Sequence, residues 1–279
     1  MIRFEQVGFQ YKGAASLALR DISLTIKQGE FVGIIGSSGA GKTSLTRCIS
    51  GVIPHHFPGD FYGAVTVDGM DTVVCGLDAL SRRVGSVFQD IDGQMVASLV
   101  EDELLFGLEN FAVPREEIPQ RISAALEALG IAALRQRAIA SLSGGQKQKV
   151  AIAAILALRP DILVLDEPTG ELDPASSRAI FGLLRTLNET YGMTIVVVEQ
   201  KIMLLCEYVQ RLLVMDAGSI RFDGPVRQVV AHSGELEELG VHCPRVVTLC
   251  GLLQARGLYQ GPPPITVEQA QTMVKEALA

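Results

Sequence analysis

The sequence predicts an α/β fold with a mostly parallel core sheet. An antiparallel β subdomain precedes that sheet, an α-helical subdomain is inserted over roughly 90–160, and a small C-terminal subdomain follows. Three observations predict it. Residues 31–35, 162–165 and 194–198 are continuously apolar, as strands buried on both faces of a parallel sheet are. Residues 2–9 and 22–26 instead alternate apolar and polar side chains, the pattern of half-buried antiparallel strands. Helical periods occupy the long stretch before the second apolar run.

The elements follow in order. The apolar run 31–35 ends in a glycine-rich stretch, and a helical pattern over 42–50 closes at Gly51. A strand over 63–70 comes after the Pro/Gly-rich loop that contains Pro54, Pro58 and Gly59. Over 116–129, Ile118, Ile122, Ala125, Leu126 and Leu129 recur at helical spacing, with Pro119 in the first turn and Gly130 as the stop. An alanine-rich helix over 146–158 is ended by Pro160. Residues 212–222 read as a hairpin turning at Ala217-Gly218. After about residue 230 short helical stretches and a proline run appear, then a final helix over 267–278, which divides the chain into 1–230 and 231–279.

Bulk composition narrows the function. Hydrophobic residues make up 48% of the 279, enough for a sizeable core. The net charge of −7 has the wrong sign for a general grip on nucleic acid, so no nucleic-acid partner is expected. The five cysteines form no CxxC pair and fit a reducing compartment. No apolar run approaches the ~20 residues of a membrane-spanning helix. The first residues lack the apolar core of a signal peptide. The expectation is a soluble chain that reaches a membrane only through partners.

Three motifs carry chemistry. Gly36-Ser37-Ser38-Gly39-Ala40-Gly41-Lys42-Thr43 fits the phosphate-binding loop GxxxxGK[ST] and lies between a buried strand and a helix. Glycines let backbone N–H groups turn toward phosphate oxygens, and the helix N-terminus adds partial positive charge. Lys42 is placed for the β- and γ-phosphates and Thr43 for Mg²⁺, so ATP and Mg²⁺ are the expected ligands. The second motif is the apolar strand that ends in Asp166-Glu167. Asp166 is suited to the Mg²⁺ shell and Glu167 to accepting a proton from an attacking water. The third is Leu142-Ser143-Gly144-Gly145-Gln146, where Ser143 caps a helix and the glycines leave its N-terminus open as a second anion site.

In this order the three motifs resemble the ATP-binding cassette family, whose fold is that of the P-loop NTPases, and the resemblance covers nearly the whole chain. It implies an ATPase working as a dimer. Two ATPs would sit between subunits, with Ser143, Gly144 and Gly145 completing the partner's site. Ser44, next to Thr43, and Gln146, the last residue of the signature, belong to the same nucleotide-binding set. The resemblance also implies that Tyr11, 25 residues before Gly36, stacks on adenine. Gln89 matches the glutamine that touches Mg²⁺ and water, and Asp173 matches a loop that crosses the dimer interface. One position departs from the family pattern: Gln200 stands where a histidine is usual. A glutamine amide donates a hydrogen bond but takes no positive charge. Two readings follow, a slow own site paired with a competent second ATPase, or a tolerated substitute in a working homodimer.

The stretch from Val87 to Asn110, with Val100-Glu101-Asp102-Glu103 and Phe106-Gly107-Leu108-Glu109-Asn110, is similar to the ATPases of energy-coupling factor transporters. It departs from their usual pattern at Asp90, Ile91 and Gly93. The tail, with Leu239-Gly240-Val241, Gly257-Leu258 and the segment 264–270, resembles their C-terminal dimerisation segment. The partners implied are a second ATPase subunit, a transmembrane coupling protein and a membrane protein that captures a vitamin or a transition-metal ion. The location implied is the cytoplasmic face of the membrane. The alternatives are a weakly hydrolysing nucleotide-binding subunit and the ATPase of a conventional importer with an external binding protein.

Overall fold

The computed structural model describes residues 1–278. The antiparallel layer starts with β1 (Ile2–Tyr11) and β2 (Leu19–Ile26), then the chain enters the core through β3 (Phe31–Gly36). After α1 (Lys42–Ile49) and the short α2 (Val52–His55), it returns to the first layer as β4 (Gly59–Val67) and β5 (Met70–Asp71). The order there is β2-β1-β4-β5, all antiparallel. The single strand expected over 63–70 is thus two strands. Asp68 (φ 49°) and Gly69 (φ 81°) both occupy the left-handed region, which folds a tight hairpin between them.

Beyond α3 (Leu77–Ser81), β6 (Val84–Val87) joins the core sheet. A helical insertion follows: α4 (Ile91–Gln94), α5 (Val100–Asn110), α6 (Ile118–Ala128) and α7 (Gly144–Ala157). The chain re-enters the sheet as β7 (Ile162–Asp166) and crosses by α8 (Pro174–Tyr191) to β8 (Thr194–Val198). It then crosses by α9 (Ile202–Tyr208) to β9 (Arg211–Asp216), which turns into β10 (Ser219–Pro225). The order is β10-β9-β3-β8-β7-β6, parallel except for β10. The tail carries α10 (Val226–Val230), α11 (Ser233–Glu238), α12 (Arg245–Ala255) and α13 (Val267–Ala277).

The apolar runs are explained by two cores on opposite faces of this sheet. Phe31 and Ile35, Leu163 and Leu165, and Ile195 and Val197 face the helical insertion with α8 and α9. Val32 and Ile34, Ile162 and Val164, and Val196 and Val198 face α1 and the antiparallel layer. With both pleats buried, no polar alternation survives. In the insertion, Leu104, Leu108, Ile122, Leu126 and Val150 form the apolar seam among α5, α6 and α7. Leu236, Val241 and Val247 of the tail join the same core, while Cys250, Ala270 and Met273 form a separate small cluster between α12 and α13. Among the described residues no helix is long and apolar enough to cross a membrane.

Candidate nucleotide site

The site lies at the C-terminal ends of the parallel strands, where open α/β sheets gather ligands. Residues 36–41 form the loop from β3 to α1, and Lys42, Thr43 and Ser44 open the helix. Glycine is required at both ends of this loop. A Cβ on Gly36 would stand 2.1 Å from the Met215 carbonyl oxygen, and Gly41 (φ 98°) would drive one to 2.5 Å from that of Ala18. Lys42 folds over the loop, its Nζ donating to the carbonyl oxygens of Gly36 (2.9 Å) and Ser37 (2.8 Å). Burial lowers its pKa, an effect opposed by Glu167 and Asp166.

Asp166 ends β7 almost fully buried. Desolvation raises its pKa; a hydrogen bond from Thr43 opposes this, the charge of Glu167 adds to it, and Arg47 and Lys42 oppose it. Its Oδ1 is buried without a hydrogen-bond partner. Such an oxygen is costly unless something cationic meets it, and beside the Thr43 hydroxyl it suits a hard divalent cation that takes oxygen ligands.

Glu167 follows on the next residue with φ 51°, a left-handed backbone that a non-glycine residue holds only under constraint. Part of the constraint is visible. Its N–H donates to the Val198 carbonyl (2.9 Å). Its carboxylate lies between amides from the two strands that flank β7. Gln200, just past β8, donates through Nε2 to both oxygens at 2.9 Å, and Gln89, just past β6, donates to Oε2 at 3.3 Å. The order β8-β7-β6 therefore brings together three residues that stand 78 and 33 positions apart in the chain.

Tyr11 reaches the same place from β1. Its hydroxyl bonds the Ser44 Oγ (3.0 Å) and accepts from Arg47 (3.3 Å), and its ring meets Phe57 edge-on at 5.9 Å. An open cavity of ≈ 980 Å³ adjoins Arg47 and Phe57 and is lined by Thr43, Gln89, Asp166, Glu167 and Gln200 on one side and by Gly144, Lys147 and Gln148 of α7 on the other.

The signature motif folds as a capping box. The Ser143 Oγ accepts from Gln146 N–H (3.4 Å), and the Gln146 Oε1 accepts from Ser143 N–H (3.0 Å). The helix accordingly starts at Gly144, two residues before the expected 146, and leaves the N–H groups of Gly144 and Gly145 as the donors at its tip. Gln146 thus spends its side chain on the cap. Asp173 likewise caps α8, accepting from the N–H groups of Ala175 (2.9 Å) and Ser176 (3.0 Å). Its pKa is lowered, first by the Ser176 hydroxyl. A Cβ on Gly145 would lie 3.4 Å from Ser176, so the signature helix and the Asp173 segment share one surface.

The profile of the family described as ABC transporter matches residues 19–170. A putative ABC transporter ATP-binding protein of Pyrococcus abyssi is 40% identical over 258 residues, covering 92% of each chain. The chain belongs to the ABC transporter family. It is an ABC ATPase, a P-loop enzyme that binds and hydrolyses ATP. A further relative is the putative HMP/thiamine import ATP-binding protein YkoD of Bacillus subtilis, 38% identical over 256 residues; this ABC chain spans 46% of its length. Among solved structures, cbiO1 from Clostridium perfringens, part of the ABC transporter complex cbiONQ, superposes with a TM-score of 0.76 at 30% identity, covering 90% of this chain and 98% of that one. The dimeric cassette MJ0796, in a post-hydrolysis state bound to ADP and Pi, gives 0.71 at 29%, covering 81% and 99%.

The sequence reading did not identify β6, although that short strand delivers Gln89. Nor did it identify α8, whose start was legible as Asp173-Pro174 and whose stop was legible as Gly192. It also passed over Arg47, which donates to Tyr11 and stacks on Phe57 at 4.3 Å.

Proposed function

We propose that this ATPase energises an importer of the energy-coupling factor type, from the cytoplasmic side, as one of two cassettes bound to a transmembrane coupling protein. The cargo would be a vitamin or a transition-metal ion, captured by a separate membrane protein. The observation that carries the catalytic half is Glu167 held between Gln89 and Gln200, beside Lys42 and the unpartnered Asp166 oxygen. The transport half is supported by the likeness to cbiO1 and YkoD and by the Val100-Glu101-Asp102-Glu103 and Phe106-Gly107-Leu108 stretches, which form α5. Residues 231–279 are assigned to dimerisation. The tail leaves Leu249, Leu252 and Leu258 exposed, which suits such an interface.

In this reading ATP lies across two subunits. Lys42 leaves the carbonyls of Gly36 and Ser37 for the β- and γ-phosphates, and the N–H groups of Gly144 and Gly145 meet the phosphate held by the partner. Thr43, Asp166 and Gln89 would hold Mg²⁺, which neutralises charge on the phosphates. Glu167 accepts the proton of the attacking water, and Gln89 and Gln200 fix its carboxylate. Tyr11 would stack on the adenine ring. Closure is driven by the higher affinity of ATP for the dimer. Copurification from membranes tests the reading: a tagged chain should bring down a coupling protein and a small substrate-capture protein. Recovery with an importer that responds to an external binding protein would refute it.

One observation favours a slow own site. Gln200 bonds both oxygens of Glu167, which lowers the basicity of the carboxylate that must take the water proton. Gln200→His should then raise turnover by about tenfold or more, since a good donor at a developing charge is worth ~10²–10³ and glutamine retains part of it. Unchanged turnover would favour glutamine as an equivalent substitute.

A further inference from the structure

Gln200 is flanked by two charged residues, and both grip the segment that follows the general base. Glu199 is 1% exposed. Its carboxylate accepts from the hydroxyl of Thr169 and from the backbone N–H groups of Gln200 (2.8 Å) and Lys201 (3.3 Å). The Nζ of Lys201 donates to the carbonyl oxygens of Thr169 and Leu172 (3.0 Å) and to the Ser177 hydroxyl (3.1 Å). Three donors meet three acceptors. Thr169, fully buried, is therefore held twice: its hydroxyl by one neighbour of Gln200, its carbonyl by the other.

The gripped segment leads to the surface. Leu172 N–H bonds the Thr169 carbonyl (3.1 Å), and Asp173 then caps α8. Leu172 also lies against the signature: a Cβ on Gly144 would stand 3.5 Å from its side chain. A continuous chain of contacts thus joins Gln200, which faces the general base, to the surface that carries Asp173 and Gly144.

We propose that Lys201 is a positioning residue that makes the Gln200 loop and the 169–173 segment move as one body. Nucleotide at this chain's phosphate loop then resets the surface offered to the partner's site. The second statement rests on the dimeric reading above; the first does not. The physical reason is the asymmetry of hydrogen bonding. An ammonium makes charge-assisted bonds, and its removal leaves the Thr169 carbonyl only its local bond from Leu172 N–H and the Leu172 carbonyl only a long bond from the Ser177 hydroxyl (3.4 Å), so nothing ties the segment to the loop at these oxygens and it gains freedom.

Amide exchange on the full chain tests this without a partner. In Lys201→Met, the N–H groups of Gly170 and Leu172 should exchange about tenfold faster, because losing charge-assisted bonds frees the segment they brace. Exchange in β3 should not change. In the wild type, Mg²⁺ with a non-hydrolysable ATP analogue should slow exchange at Gly170, Leu172 and Gln200; in Lys201→Met only the response at Gln200 should survive. Lys201→Arg should restore part of the coupling, and Lys201→Gln carries the same comparison if the methionine variant folds poorly. In the assembled transporter, Lys201→Met should lower kcat about tenfold while KM for ATP stays within about twofold. Wild-type exchange and nucleotide response at Gly170 and Leu172 would overturn the proposal, as would equal losses in kcat and nucleotide affinity. A wild-type chain that forms no ATP-dependent dimer would refute the dimeric reading alone, and the nucleotide-free exchange comparison would still decide the role of Lys201.

Discussion

Glu167→Gln is expected to lower ATP turnover by about 10²–10⁴ while ATP binding survives. The change is nearly isosteric but removes the carboxylate assigned to take a proton from water. Gln89 and Gln200 carry amides, which donate to the carboxylate and accept no proton at neutral pH. Lys42 and the Asp166–Thr43 pair are untouched, so the phosphate grip remains. An ATP-bound dimer should therefore persist through gel filtration in the variant and fall apart in the wild type as ATP is consumed. Turnover at the parent rate would remove Glu167 from the role of general base.

Asp166→Asn is expected to move stability and activity in opposite directions. Burial raises the Asp166 pKa, so the folded chain holds this proton to higher pH than the unfolded chain does. Stability from this group is complete below the ordinary carboxyl pKa and is lost as pH rises through the raised folded value. Above that raised value the nucleotide-free protein bears a buried carboxylate with one orphaned oxygen. Asparagine removes the charge, and the thermal midpoint of the nucleotide-free chain should rise at neutral pH, with the gain vanishing in acid. Mg²⁺-dependent turnover should fall by at least about 10²-fold, since the carboxylate that would hold the charge-neutralising Mg²⁺ is lost. Calorimetry across pH and a Mg²⁺ titration of the rate check both halves. A lower midpoint at neutral pH, or a wild-type Mg²⁺ titration, would contradict the assignment.

The two glutamines show where a linear reading runs out. Gln89 and Gln200 were legible as positions of interest by resemblance. That both donate to one carboxylate depends on β6 and β8 flanking β7, and β6 is a four-residue strand with weak periodicity. Lys201 gave no local signal at all. Its three acceptors lie 24 to 32 residues away, and only the crossover from β7 through α8 to β8 returns them to its reach.

By itself the sequence determined the apolar strands, the phosphate loop, the capped signature helix and the acidic end of β7. Each rests on short-range chemistry: glycine where a Cβ would collide, serine where a helix needs an acceptor, unbroken apolar runs where both pleats are covered. Tertiary structure alone decided which side chains share a hydrogen bond with Glu167, which oxygen of Asp166 is left without a partner, and how the Gln200 loop is tied to the Asp173 segment. Those outcomes follow from strand order and register, which are set by long-range burial and leave no mark on the residues next in sequence.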